Sequence, residues 1–118
     1  MTHDPWCGAK WVRIMCDFYA DAVWNIEGAS CDVEALPISR DLALALRSWQ
    51  DIYDRCAPDG MVEKTVWDGE AFSRVGLFLA RRVKAELPSW TILYFDEHRL
   101  SQGGEDVPRS YFEYEIEA

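Results

Sequence analysis

The sequence predicts an α/β (α+β-like) fold, a two-layer sandwich in which two helices cover one face of a small mixed sheet of three strands. Three observations lead to this fold. Polar and apolar residues alternate in two segments, apolar residues recur at helical spacing in two longer segments, and one short run is apolar throughout. These segments follow one another in the order strand, helix, helix, strand, strand, which suits a helical layer packed on a sheet.

The first strand is predicted over residues 11–19. One face of it is apolar and the other is mixed, with Asp17 near the carboxyl end; the apolar face consists of Val12, Ile14, Cys16 and Phe18. A long connection follows over residues 20–37, with a short extra strand possible at residues 23–26 and Trp24 as the side chain that pins it.

The first helix is predicted over residues 39–56. Pro37 precedes it, Ser39 is a favourable N-cap, and the turn sequence Pro58-Asp59-Gly60 ends it. A single apolar stripe recurs at helical spacing: Leu42, Ala45, Leu46, Trp49, Tyr53 and Cys56.

The second helix is predicted over residues 68–87, with Asp68 as N-cap and Pro88 as its end. Its buried stripe is predicted to be Phe72, Val75, Leu79, Val83 and Leu87. A basic triplet near its carboxyl end complements the helix dipole, which is a better explanation than an anion site: Arg81, Arg82 and Lys84.

The central strand is predicted over residues 90–97, where W-T-I-L-Y-F-D-E leaves little room for a solvated face. A polar connection over residues 99–109 leads to the last strand, residues 111–117. In that strand Phe112, Tyr114 and Ile116 are predicted to face one way, and Glu113, Glu115 and Glu117 the other.

The order of these segments favours a particular assembly of the sheet. The first and central strands are joined by helices and are expected to pair in parallel, whereas the central and last strands suit an antiparallel pair. Arg13 then has Glu113 or Glu115 as a partner on the outer face. The core is predicted to include Leu46, Trp49, Leu79, Val83, Leu93 and Phe95.

One domain is expected to contain all residues 1–118, with residues 1–10 as a loose leader. The amino terminus lacks the pattern of a secretory signal, and no apolar run approaches the ~18 residues of a membrane span. A cytoplasmic protein is therefore expected. Four cysteines without a C-x-x-C pair are expected to stay reduced and to form no disulfide: Cys7, Cys16, Cys31 and Cys56.

Three stretches of the sequence resemble a set of small acidic bacterial proteins that have no assigned function. The stretches are R-I-M-C-D-F-Y in the first strand, L-P-I-S-R-D-L with W-Q-D-I-Y-D in the first helix, and A-E-L-P-S-W-T-I-L-Y-F-D-E. The resemblance extends from Val12 to about Glu97 and implies a bacterial, cytoplasmic protein. It concerns the pattern of the fold, so it implies no catalytic residue.

The net charge of −9 limits the classes of partner. Nucleic acids and anionic membranes require a basic surface, so neither is an expected partner, whereas a basic protein is electrostatically favoured. If the first and central strands are parallel, an acidic pole forms where they end, with the basic triplet towards the opposite pole. The predicted pole consists of Asp17, Asp21, Asp96 and Glu97.

The same edge is the candidate for a metal or ligand site. Asp17, Asp21, Asp96, Glu97 and His98 have the ligand types that a divalent cation uses, although the D-E-H sequence also serves simply to turn the chain into solvent. No H-x-x-x-H, H-x-E or EF-hand pattern supports a metal.

An enzyme is the less favoured class. The sequence contains no nucleophile elbow and no phosphate-binding loop, and it predicts no catalytic residue and no cofactor. A protein-interaction module that binds a basic partner is the favoured function, and a small metal-dependent or ligand-binding protein is the alternative. Small size, acidity and many aromatic residues are broadly similar to bacterial immunity proteins and other inhibitors of basic partners.

Overall fold

A computed structural model describes residues 4–56, 68–103 and 106–118, with Cys56 described by its backbone alone. This part of the chain forms one five-stranded sheet and three α-helices. The strands are β1 (Trp11–Ile14), β2 (Val23–Trp24), β3 (Ser30–Cys31), β4 (Thr91–Phe95) and β5 (Glu113–Glu115). The helices are α1 (Arg40–Cys56), α2 (Gly69–Glu86) and α3 (Glu97–Gly103).

The sheet has the strand order β3-β2-β1-β4-β5 and is mixed, as predicted. β1 pairs with β4 in parallel, with Val12 opposite Ile92, and β4 pairs with β5 in antiparallel fashion, with Tyr94 opposite Tyr114. Both predicted pairings are therefore confirmed. The predicted number of strands was wrong, because a hairpin of β2 and β3 adds two strands beside β1.

The hairpin depends on Asn25, whose side-chain oxygen accepts hydrogen bonds from two backbone amides of the turn that follows β2. Gly28 completes that turn with a φ of 85°, a left-handed conformation that glycine adopts without strain. The short strand predicted at residues 23–26 is confirmed in its first two residues. Trp24 pins the connection as predicted, because its indole N–H donates to the Met15 carbonyl at 2.8 Å.

The segment before β1 is held on the body of the protein. The Trp6 ring is buried, its indole N–H donates to the Ala35 carbonyl at 3.0 Å, and it packs edge-on against Trp90. The prediction of a loose leader over residues 1–10 was therefore wrong for residues 4–10, while residues 1–3 lie outside the described part. A tryptophan that buries its ring and satisfies its N–H fixes a segment that has no periodicity of its own.

α1 and α2 pack on one face of the sheet, as predicted, and their side chains join those of β1 and β4 in one core. The buried residues of this core include Val12, Ile14, Leu42, Leu46, Trp49, Leu79, Val83, Ile92 and Tyr94. The predicted burial of Leu46, Trp49, Leu79 and Val83 is confirmed. The predicted burial of Leu93 and Phe95 was wrong, because Ile92 and Tyr94 point at the helices and their neighbours point away.

The central contact between α2 and the sheet surrounds Gly76. The indole N–H of Trp49 donates to the Phe72 carbonyl at 3.0 Å, and the hydroxyl of Tyr94 donates to the Ser73 carbonyl at 2.7 Å. A side chain at Gly76 would overlap the Trp49 ring and the Tyr94 hydroxyl. Val75 was predicted in the buried stripe and is exposed instead, because the glycine beside it takes the position against the sheet.

Both predicted helix starts are confirmed. Leu42 N–H donates to Ser39 Oγ at 3.3 Å at the start of α1, and Ala71 N–H donates to Asp68 Oδ1 at 3.0 Å at the start of α2. Ser39 also ties the two helices together, because its hydroxyl donates to a carboxylate oxygen of Glu86 at 2.7 Å. The predicted turn at residues 58–60 lies outside the described part.

The chain after β4 differs from the prediction. The strand predicted to reach Glu97 ends at Phe95, and the polar connection predicted over residues 99–109 begins instead with α3. The last strand is β5 alone, since residues 109–111 form a 3-10 turn and Phe112 has helical backbone angles. The side chains therefore alternate between the two faces of the sheet only from β5 onward. Phe112 packs edge-on against Phe95 instead of facing the same way as Tyr114.

The cysteines of the described part are free thiols. The first strand, predicted to reach residue 19, ends at Ile14, and the Ala20 N–H donates to the Asp17 carbonyl in a turn. Cys16 lies after the strand and is buried, as predicted, and Cys31 is buried in β3, whereas Cys7 is exposed. The side chain of Cys56 lies outside the described part. No helix of the described residues is both long enough and apolar enough to cross a membrane.

Candidate functional site

The parallel pairing of β1 and β4 brings the carboxyl ends of both strands to one edge of the sheet. Asp17 follows β1 at this edge, and Asp96 and Glu97 follow β4. Of the basic triplet, Lys84 lies at the opposite end, because its Nζ donates to the Trp90 carbonyl directly before β4 at 2.8 Å. The predicted separation of the acidic edge from this lysine is thereby confirmed.

Asp96 is buried and has a structural role. Its Oδ1 accepts a hydrogen bond from the Arg99 backbone N–H at 3.1 Å, which caps α3. Its Oδ2 accepts from the Tyr114 hydroxyl at 3.2 Å and lies 3.7 Å from Arg99 Nε. These contacts compensate the carboxylate for its burial, so Asp96 presents little negative charge to a partner.

Glu97 is half-buried beside the other carboxylates of the edge. The pKa of Glu97 is raised to about 7, mainly by burial and in addition by repulsion from the carboxylates of Asp17 and Asp96. Burial also raises the pKa of the Cys16 thiol, and the carboxylates of Glu97, Asp54 and Asp17 act in the same direction. The carboxylates of Asp17, Asp54 and Glu97 therefore all act on the Cys16 thiol at this edge.

Asp21 lies at the same edge but on the side of α1. Its Oδ2 accepts from the Val33 backbone N–H at 2.9 Å and lies 3.9 Å from Arg47 Nη2. Arg47 is also in ion pairs with Asp32 at 3.3 Å and with Glu34 at 3.8 Å. One guanidinium is thus surrounded by three carboxylates, and the group as a whole stays negative.

His98 is separated from this group. It lines a cleft of about 320 Å³ between α2 and α3, together with Arg74, Arg99 and Tyr111, and its backbone N–H donates to Ser73 Oγ at 3.1 Å. The lining also includes Glu70 and Asp96, so two arginines balance two carboxylates and the cleft has no excess of negative charge that would favour a cation.

The predicted metal ligands are therefore divided among three environments. Asp17 and Glu97 lie at the edge, Asp21 lies beside Arg47, and Asp96 and His98 belong to the contacts of α3. Within residues 4–56, 68–103 and 106–118, no group of three or more His, Cys, Asp or Glu side chains is arranged to hold a metal ion.

A second cleft, here called the acidic cleft, is formed between the loop after β1 and the outer face of α1. Its volume is about 490 Å³, and its lining includes Tyr19, Asp21, Arg47, Gln50, Asp51 and Asp54. Sequence reasoning did not select the four α1 residues named here, Arg47, Gln50, Asp51 and Asp54. They lie on the polar side of a helix, which is ordinarily solvated, and only the position of the loop gives them a facing wall.

Tyr19 forms that wall in an unusual backbone conformation. Its φ is 59°, in the left-handed region that non-glycine residues rarely adopt, and its side chain is 82% exposed. Its backbone N–H donates to Asp54 Oδ1 at 2.8 Å, which fixes the loop to α1. A strained residue that holds a large aromatic ring in solvent is a frequent feature of binding sites.

A comparison with known families gives a match that covers residues 10–97. The matching family is described as Serratia CdiI immunity protein-like. No curated protein matches the chain. The matched residues include β1 to β4, α1, α2 and the first residue of α3. Because the match covers well over half of the 118 residues, the chain belongs to the Serratia CdiI immunity protein-like family, a small bacterial protein family.

Proposed function

We propose that this chain is an immunity protein that binds a toxin protein in the bacterial cytoplasm and thereby blocks it. The observation that carries the proposal is the family match over residues 10–97. The match assigns the chain to a family of proteins named for immunity, and such proteins act by binding a toxin partner. An interaction module is also the function that composition and charge favour.

The toxin is proposed to be basic and to approach the acidic edge of the sheet. The net charge of −9 supports this, as do the carboxylates of Asp17, Asp21, Asp54 and Glu97 around one edge. A concentrated negative field accelerates the encounter with a basic protein and opposes binding to acidic ones. A toxin that acts on a polyanion would carry such a basic surface.

Co-expression tests the proposal directly. A neighbouring gene product that inhibits growth when it is expressed alone is then expressed with the wild-type chain and with a chain truncated inside α2 that cannot complete the core. Restored growth with the wild-type chain only, together with a complex of the two purified proteins in size-exclusion chromatography, is the expected result. Continued growth inhibition in the presence of folded wild-type protein would overturn the proposal.

A further inference from the structure

The acidic cleft contains a buried acceptor that has no donor. Gln50 is 4% exposed, and its Nε2 donates to the Asp17 carbonyl at 2.7 Å and to Asp54 Oδ1 at 2.9 Å. These two acceptors fix the orientation of the amide, so the other atom is the oxygen. Gln50 Oε1 has no hydrogen-bond partner among the described residues. Such an orphaned acceptor destabilises the free protein and is satisfied when a donor reaches it.

The charge around this acceptor selects a cation. The cleft is lined by the carboxylates of Asp21, Asp51 and Asp54 and by the guanidinium of Arg47. Arg47 is turned towards Asp21, Asp32 and Glu34, so its charge is already compensated. Asp51 is in an exposed ion pair with Arg55 at 3.3 Å, whereas Asp54 is in no ion pair among the described residues. The cleft therefore keeps a negative charge at Asp54, which favours an incoming cation over an anion or a neutral group.

The walls of the cleft select a flat cation. Tyr19, which is 82% exposed, presents an aromatic ring to the cleft, and Leu44 adds an exposed apolar side chain to the lining. A guanidinium stacks on an aromatic ring and donates in several directions within its plane, whereas an ammonium is a compact and strongly hydrated charge.

We propose that the acidic cleft binds an arginine side chain of the toxin, an inference that rests on the proposed function. The guanidinium donates to Gln50 Oε1 and to the carboxylates of Asp51 and Asp54, and its plane lies against Tyr19. The methylene part of the arginine packs on Leu44. The cleft then supplies the anchor of the interface, and the acidic edge around it supplies the attraction over longer distances.

The first experiment uses arginine amide as a probe of the free protein, followed by NMR. The largest chemical-shift changes are expected at the Gln50 side-chain amide and at Tyr19, and lysine amide should bind more weakly. The test variant is Asp51→Asn with Asp54→Asn, since asparagine keeps the oxygen that accepts from Tyr19 and Gln50. The control variant is Glu115→Gln with Glu117→Gln, which changes the net charge equally.

The expected result is a loss of arginine affinity of about tenfold in the test variant and of less than about twofold in the control. Equal losses in both variants, or shift changes spread evenly over all carboxylates, would overturn the cleft as a site. The toxin, once identified, gives the second measurement with the same variants. If the toxin binds both variants with equal affinity, the cleft is not part of the interface, but the proposed function still holds. If the toxin does not bind the wild-type protein, both proposals are wrong.

Discussion

Arg13 and Glu113 form an ion pair across β4, with Arg13 Nε 2.7 Å from Glu113 Oε1, although they belong to strands that are not neighbours. Arg13 lies opposite Leu93 in the sheet and Glu113 lies opposite Phe95, so the pair passes over the central strand between these two side chains. The guanidinium also lies 5.7 Å from the centre of the Trp11 ring. The sequence predicted Glu113 or Glu115 as the partner of Arg13, and the structure selects Glu113.

Substitution of Glu113 by glutamine should destabilise the protein by about 1–3 kcal/mol. The Glu113 side chain is only 10% exposed and is also in an ion pair with Arg109, so its removal leaves the half-buried Arg13 without its counter-charge. Urea unfolding measures the loss, and Glu115→Gln on the same strand is the matched control. Equal stability of the two variants would show that the ion pair contributes nothing measurable, as for many exposed pairs.

Leu79→Ala should reduce the free energy of unfolding by about 2–5 kcal/mol, because it leaves a cavity in the core. Leu79 is 4% exposed in α2, whereas the preceding residue, Phe78, is 60% exposed. Phe78→Ala is therefore the control on the same helix and should change stability by less than about 0.5 kcal/mol. Similar losses in both variants, measured by chemical denaturation, would mean that α2 packs through a different face.

Gly76→Ala should also destabilise the protein, by about 1–3 kcal/mol. Alanine favours helix over glycine by about 1 kcal/mol, so an exposed position would gain stability from the same change. At Gly76 the new methyl group overlaps Trp49 and the hydroxyl of Tyr94, and separating them weakens the contact of α2 with the sheet. A stabilised variant in thermal unfolding would contradict this packing.

The two wrong burial predictions in β4 show what periodicity cannot decide. Residues 91–95 read T-I-L-Y-F, so both faces of the strand look suitable for a core. The outcome depends on Tyr94, whose hydroxyl needs an acceptor and finds it at the Ser73 carbonyl of α2. Leu93 consequently lies on the other face, beside Arg13. Only the position of α2 relative to the strand settles this choice.

Helices and caps were predictable because Ser39, Asp68 and the apolar stripes are local signals. α3 was not predictable, since its seven residues show no apolar stripe and it depends on Asp96 as a cap and on Ser73, which accepts from the His98 backbone N–H. The acidic edge followed from the parallel topology. The acidic cleft did not, because it depends on the left-handed backbone of Tyr19.

Glu97 should make the stability of the protein depend on pH. Its pKa is about 7 in the folded protein, against an ordinary value of 4.5, so between these values the folded state holds a proton that the unfolded chain has released. Stability from this group is therefore complete below pH 4.5 and is lost as the pH rises through 7. Glu97→Gln should gain stability relative to wild type by about 1–2 kcal/mol between pH 5 and pH 8, a value reduced for solvent screening of this half-buried group.

Chemical denaturation of wild type and Glu97→Gln at pH 5 and pH 8 measures this difference. Glu117→Gln, a change at an exposed carboxylate, serves as the control and should show no comparable gain. A Glu97→Gln variant whose stability relative to wild type is the same at both pH values would contradict the raised pKa of Glu97.

Association with the toxin should slow as salt rises, and the acidic edge should be responsible. At pH 8 Glu97 is mainly ionised and adds to the field of Asp21. Raising the ionic strength from about 0.05 M to about 0.5 M shortens the screening length to a few ångströms and should lower the association rate constant by about tenfold or more. Asp21→Asn combined with Glu97→Gln should slow association at low salt and flatten this dependence, as measured by stopped-flow fluorescence.

Glu115→Gln combined with Glu117→Gln is the matched control, with the same change of net charge. Glu113 lies opposite Phe95 and Glu115 lies opposite Leu93, so β5 runs away from the acidic edge. The control therefore removes charge from the middle of β4 and beyond it, and not from the acidic edge. If the field of the edge guides the encounter, only the edge variant should lose most of its salt dependence. If both variants lose it equally, the net charge of the whole protein guides the encounter, and the clustering of carboxylates at the edge has no part in the rate.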